Sequence, residues 1–174
     1  MVDYPVVCIL GRRGSGKTLT MTMLADLYHS NKVMIFSNYD LKIPYQPITF
    51  KELASFPDYL HDCVLFIDET HIGADSYNFW EKQVKDITKF VTQIRKRQIT
   101  MYYSTQVWKM VAKRLRDQTD YIWQCSKVEW DDNLFRVEMF DKWLVPPDNY
   151  LDTKIFDGRP YYDLYDTKQI IQNE

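Results

Sequence analysis

Residues Gly11-Arg12-Arg13-Gly14-Ser15-Gly16-Lys17-Thr18 fit the pattern G-x-x-x-x-G-K-[ST], and no other feature narrows the possible folds of this chain so far. The apolar run Val6-Val7-Cys8-Ile9-Leu10 comes just before it, and a helix-like stretch from Lys17 to Tyr28 follows. Strand, glycine loop and helix in that order make a phosphate cradle. The glycines let the backbone curl so that successive N–H groups point inward at phosphate oxygens. Lys17 is expected to reach the β- and γ-phosphates, and the Thr18 hydroxyl to ligate Mg²⁺. All eight residues are therefore expected to bind a nucleoside triphosphate.

The rest of the chain keeps alternating. Val33-Met34-Ile35-Phe36-Ser37 reads as a second buried strand ending at Asn38, and a short helix is expected around Phe50–Phe56. Cys63-Val64-Leu65-Phe66-Ile67 is a continuous apolar run, as in a parallel sheet covered on both faces. Trp80, Val84, Ile87, Val91 and Ile94 predict one side of a long amphipathic helix. Ile99–Ser104 predicts another strand, and Val107, Trp108, Val111, Ala112 and Leu115 a further helix.

Tyr121–Val128 and Phe135–Phe140 flank Asp131-Asp132-Asn133 as a hairpin at a sheet edge. The tail from Pro146 reads as an extended strap with little regular structure. The expected fold is an α/β P-loop NTPase of the additional-strand, RecA-like type. Its central sheet is mainly parallel and flanked by helices, with a β-hairpin and a C-terminal strap. Residues 1–145 would form the ATPase core, and 146–174 a tail packed on it or on a neighbouring subunit.

Asp68-Glu69 directly after the third apolar strand has the Walker B form. Asp68 would hold Mg²⁺ together with Thr18, and Glu69 would orient and deprotonate the attacking water. An acid beside the metal-holding aspartate favours hydrolysis over transfer to a second substrate. Gln106, at the end of Ser104-Thr105-Gln106, is the expected sensor of the γ-phosphate. Asn38 either forms a turn or holds Glu69 inactive until DNA engages.

Composition sets the remaining bounds. The chain has 174 residues with 45% hydrophobic and 26% charged side chains, which suits one soluble domain. No apolar stretch approaches the ~20 residues of a membrane span, and no signal-peptide pattern opens the sequence. Cys8, Cys63 and Cys125 all lie in apolar runs without metal-ligand spacing, as expected of buried thiols in a cytoplasm. The net charge is −2, but residues 80–116 hold 10 basic and 2 acidic side chains, and so carry about +8. Such segregation either puts a basic surface on an acidic protein or reflects a solvated helix face with nucleotide-sensing arginines.

The motif order, and above all Arg95-Lys96-Arg97-Gln98-Ile99-Thr100-Met101-Tyr102-Tyr103-Ser104-Thr105-Gln106, resembles the FtsK–HerA superfamily of DNA-pumping ATPases. There an arginine precedes the fourth strand and a Ser/Thr-Gln closes it. Gln98 departs from the glycine that many members carry at the turn into that strand. Asp68-Glu69-Thr70-His71, Arg114-Leu115-Arg116 before Thr119-Asp120, and Tyr165-Asp166-Thr167 look most like the viral genome-packaging ATPases of the superfamily, and like the related Zot-like phage proteins.

The resemblance implies an ATPase using ATP and Mg²⁺, self-associated into a ring of five or six subunits. It also implies double-stranded DNA as the translocated partner. A viral capsid or membrane-vertex protein would be a further partner, and the host cytoplasm or the virion its place. Arg95 would reach in trans to the γ-phosphate held by a neighbour, with Arg97, Arg114 and Arg116 as rivals. Lys82, Lys85 and Lys89, or the segment between Gly73 and Phe79, are candidates to grip the DNA backbone, the alternative for that segment being a structural connection. The competing readings are a Zot-like filamentous-phage assembly and extrusion ATPase, a small P-loop kinase, and a nucleotide switch without turnover.

Overall fold

The computed structural model describes residues 3–68, 90 and 92–166, the side chain of Ala54 excepted. Glu69, His71, the segment between Gly73 and Phe79, Lys82, Lys85, Lys89 and Thr167 lie outside the described residues. Of the long helix expected from Trp80 onward, Phe90 and residues 92–94 are described and helical, with Phe90 and Ile94 buried.

Eight strands form one sheet in the order β3-β2-β4-β5-β1-β6-β7-β8. They are β1 (Val6–Leu10), β2 (Met34–Ser37), β3 (Gln46–Pro47), β4 (Cys63–Ile67), β5 (Ile99–Thr105), β6 (Tyr121–Val128), β7 (Asp131–Asp141) and β8 (Tyr150–Asp157). The pairings from β3 through to β6 are parallel, whereas β6–β7 and β7–β8 are antiparallel. All five residues of β4 and all seven of β5 are buried, and apart from Thr100, Ser104 and Thr105 their side chains are apolar or aromatic on both faces. Side chains alternate across the sheet. Val6 and Cys8 join the core layer with Phe50, Leu53 and Leu115, while Val7 and Ile9 join the layer beneath helix α1 (Lys17–Ser30).

The decisive relationship is that β5 lies between β1 and β4, pairing with both. A strand inserted between the strand of the phosphate loop and the strand of Asp68 defines the additional-strand architecture, as expected.

Local chemistry explains the shorter elements. Helix α2 (Phe50–Ser55) opens with a reciprocal capping box: Thr49 Oγ1 accepts from Glu52 N–H at 3.2 Å, and Glu52 Oε2 accepts from Thr49 N–H at 2.8 Å. The helix expected from Val107 is broken instead. A 3₁₀ turn covers Trp108–Met110, Val111 and Ala112 are extended, and α3 (Lys113–Gln118) starts afresh. Val111 and Leu115 still reach the core, so the apolar spacing was real although the helix is not continuous. The tail is extended, but it is more ordered than a strap: β8 pairs along β7 from Leu134↔Asp157 to Phe140↔Tyr150. Few of its side chains are buried, and an edge strand of that kind leaves little hydrophobic pattern to read. A 3₁₀ segment (Arg159–Leu164) then crosses to α1, and Leu41 bridges Tyr165.

Candidate functional site

The phosphate loop leaves β1 at Leu10 and enters α1 at Lys17, held at its base by Gly11 N–H donating to Thr105 O at 3.3 Å. Gly16 caps α1 with φ of 89°, a left-handed conformation, and a Cβ there would lie 2.3 Å from the Phe135 ring. Two separate requirements, backbone sign and space, thus fix glycine at one position. Inside the loop Lys17 is buried, and its Nζ donates to Arg12 O at 3.0 Å, so the ammonium lies across the cradle. Among the described residues the buried Ser15 hydroxyl has no hydrogen-bond partner, which suits a loop whose donors face an anion. Arg12 and Arg13 are exposed at the rim.

Asp68 emerges from β4 directly opposite this loop. Its Oδ2 accepts from Thr18 Oγ1 at 2.7 Å, and its Oδ1 accepts from Ser104 Oγ at the end of β5. A hydroxyl and a carboxylate this close, one from each Walker segment, form a hard oxygen donor set that fits Mg²⁺. Asn38 secures the same residue from the far side. Its Oδ1 accepts from Asp68 N–H at 2.7 Å and its Nδ2 donates to Asp68 O at 3.1 Å. Asn38 therefore works on the Asp68 backbone; the residue it was expected to restrain, Glu69, lies outside the described residues.

Around this centre, burial pushes the Tyr39 hydroxyl well up, with Asp68 adding to the shift. Burial raises Tyr165 as well, and Asp68 contributes again, so the tail reaches the surroundings of the Walker B carboxylate. Gln106 is half-buried immediately after β5, at the same end of the sheet as the phosphate loop.

The motifs assign Ser104 no role of its own, yet it supplies a donor to Asp68. The register could have found it: Ile67 pairs with Tyr103, so the next residue of each strand, Asp68 and Ser104, are neighbours. Reading that register requires knowing that β4 and β5 are adjacent.

The four arginines fare differently. Arg95 begins a 3₁₀ turn (Arg95–Arg97) just before β5, at the opposite edge of the sheet from the loop. The seven residues of β5 separate the two ends, about 20 Å at 3.3 Å per residue, so Arg95 cannot reach the phosphate loop of its own chain. Its guanidinium is half exposed and paired with buried Asp120. Arg97 is used within the chain: Nη1 donates to Pro57 O at 2.7 Å and the group lies 4.0 Å over the Phe56 ring. Arg116 has a buried Nε with no hydrogen-bond partner among the described residues, whereas Arg114 is exposed. Gln98 takes φ of 57° and ψ of 44°, so the left-handed turn is made without glycine.

Fold and site together define the chain as an α/β protein with the fold of the additional-strand P-loop NTPases. No protein-family model matches the sequence, and none of the curated proteins matches it. Among solved structures, it is similar to the N-terminal domain of zonular occludens toxin from Neisseria meningitidis: 18% identity, TM-score 0.66, covering 95% of this chain and 100% of that one. It is also similar to the genome packaging NTPase of Sulfolobus turreted icosahedral virus 2 bound to AMP: 14% identity, TM-score 0.57, covering 89% of this chain and 98% of that one. The ATP-gammaS complex of that NTPase matches equally, with 14% identity, TM-score 0.57, and coverage of 89% and 97%. At these identities the likeness is one of fold.

Proposed function

We propose that this chain is an Mg²⁺-dependent ATPase that moves double-stranded DNA, packaging a viral genome into a preformed capsid. The observation that carries the hydrolytic reading is the 2.7 Å contact between Thr18 and Asp68, made across a strand that ends in Ser104-Thr105 and is followed directly by Gln106. Lys17 and the loop N–H groups hold the phosphates, and Thr18 with Asp68 holds the metal. A Mg²⁺ ion held by Thr18 and Asp68 would supply Lewis-acid charge to the phosphate being transferred. Glu69 takes the proton of the attacking water, and Gln106 reads the γ-phosphate.

Arg95 completes the site of a neighbouring subunit, because its place at the far edge of the sheet leaves a trans role as its route to phosphate. Arg97, engaged with Pro57 and Phe56, is less free for that task. A ring follows from the trans contact. The DNA reading rests on the basic segment 80–116 and on the fold shared with a packaging NTPase. In this reading residues 146–174 form a tail on the core or on a neighbour.

Phosphate release with and without double-stranded DNA, with the assembly mass in a non-hydrolysable analogue, tests the proposal. Stimulation that falls steeply with salt is expected, because backbone contacts release counterions. Turnover indifferent to DNA overturns the motor reading.

A second reading, a Zot-like phage assembly and extrusion ATPase, is favoured by the higher TM-score and fuller coverage of the Neisseria domain. Among the described residues no helix is long and apolar enough to cross a membrane.

A further inference from the structure

Resting on the trans-arginine reading above, we infer that Asp120 is the positioning residue for Arg95, fixing the guanidinium at the subunit edge so that its free face meets the neighbour's γ-phosphate.

Asp120 is 3% exposed, an unusual burial for a carboxylate, and its two oxygens are divided between two tasks. Oδ2 accepts from the Val6 N–H at 2.9 Å, at the start of β1, while Oδ1 accepts from Arg95 Nη2. The Asp120 backbone is fixed as well: its N–H donates to Val6 O at 2.8 Å, and its carbonyl accepts from Lys142 N–H at 3.0 Å. The carboxylate is therefore bolted to the first strand, the start of β6 and the turn after β7 before it meets the arginine.

Arg95 is the more exposed member. It lies on a 3₁₀ turn with a side chain 55% exposed, and among the described residues Asp120 is its one charge partner. A guanidinium presents five N–H donors in a planar fork. Asp120 engages Nη2, and among the described residues Nη1 and Nε have no further partner. Anchoring one edge of the fork removes rotamer freedom that a free arginine would otherwise lose on reaching phosphate. A simple surface ion pair would not need a buried, doubly bonded carboxylate as its acceptor.

Asp120→Asn tests this, since the amide oxygen can still accept from Val6 N–H while the charge that holds Arg95 is gone. Turnover is expected to fall about 10- to 100-fold, the size of effect a misplaced catalytic group produces. The KM for ATP should stay within about twofold, because ground-state binding rests on the variant's own intact loop.

Mixing experiments then assign the role to the correct subunit. Asp120→Asn subunits keep a working phosphate loop, and Lys17→Ala subunits keep a working Arg95–Asp120 edge. Mixed rings should recover activity above either variant alone, and Arg95→Ala mixed with Lys17→Ala should do the same.

Recovery with Arg95→Ala but not with Asp120→Asn, or wild-type turnover in Asp120→Asn, overturns the positioning role and leaves the trans arginine standing. Recovery in neither mixture overturns both. Should Asp120→Asn fail to fold, nitrogen NMR of the wild-type arginine side chains decides: two resolved Nη environments for Arg95 are expected, and a single averaged one overturns the proposal.

Discussion

Asn38 and Asp68 are joined twice, the carboxamide of one bracketing the peptide groups of the other at 2.7 and 3.1 Å. The bracket fixes the point where β4 ends and the Walker B acids begin. It also ties that point to the end of β2, the neighbouring strand. Asn38→Ala removes both bonds and leaves the Asp68 N–H without its acceptor, which costs about 1–3 kcal/mol. Turnover should fall about tenfold as the acids lose their alignment. Urea unfolding and steady-state phosphate release check the two parts. If DNA dependence alone changes while stability holds, Asn38 is a regulator of Glu69 and not a backbone clamp.

Ser104 makes a second, independent prediction. Its hydroxyl is fully buried and donates to Asp68 Oδ1, while Thr18 occupies Oδ2. Hydrogen bonds to a charged acceptor contribute roughly 1.5–3 kcal/mol. Ser104→Ala should lower stability by about that amount and, if Asp68 holds Mg²⁺ as proposed, raise the half-saturating Mg²⁺ concentration about tenfold, because one edge of that carboxylate is released. A Mg²⁺ titration of turnover reads this directly. An unchanged Mg²⁺ requirement would show that Ser104 serves folding only.

These two residues mark the boundary of what the sequence could tell. Gly11–Thr18 and Asp68 were legible because each motif is short, contiguous and attached to an apolar strand with a clear pattern. That β5 carries a polar end was legible too, through the family likeness of residues 95–106. What Ser104 and Asn38 do was not, since their bonds depend on which strands lie side by side. Asp120 was quoted only as part of a motif, because a buried carboxylate looks like any other acid until its partners, 114 residues away in Val6 and 25 away in Arg95, are brought to it. The break in the helix after β5 was hidden for a related reason. Val111 and Leu115 keep helical spacing while the backbone between Met110 and Lys113 runs extended.

Gln98 offers a test of local strain. A left-handed backbone disfavours a residue with a Cβ by roughly 1–2 kcal/mol, and glycine escapes that penalty at some entropic cost in the unfolded chain. Gln98→Gly should therefore raise stability by about 1 kcal/mol or less without altering turnover. Thermal unfolding with a parallel ATPase assay checks it. A destabilised variant would mean that the glutamine side chain contributes packing that outweighs the strain.

The three thiols predict how stability depends on alkaline pH. Burial pushes Cys8 and Cys63 up to about 12 and Cys125 up to about 11, from 9.0 for the free group. The folded chain thus keeps its thiol protons after the unfolded chain has released them. Below pH 9 both states are protonated and the stabilisation is fully present; above it, ionisation favours the unfolded state. Stability should be flat to about pH 9 and then fall by about 1.4 kcal/mol per pH unit for each thiol. The contribution of Cys125 should level off first, near 11. Tyr39 and Tyr102, also raised by burial, steepen the fall above pH 10. Urea midpoints at half-unit intervals measure the slope, and replacing Cys125 by alanine should remove its share between pH 9 and 11. At pH 8 the same shifts suppress the thiolate fraction about a hundredfold or more, so a thiol reagent should label the native protein only as fast as it unfolds. Rapid labelling of the native chain would show that these cysteines are not held in the strands that define the sheet.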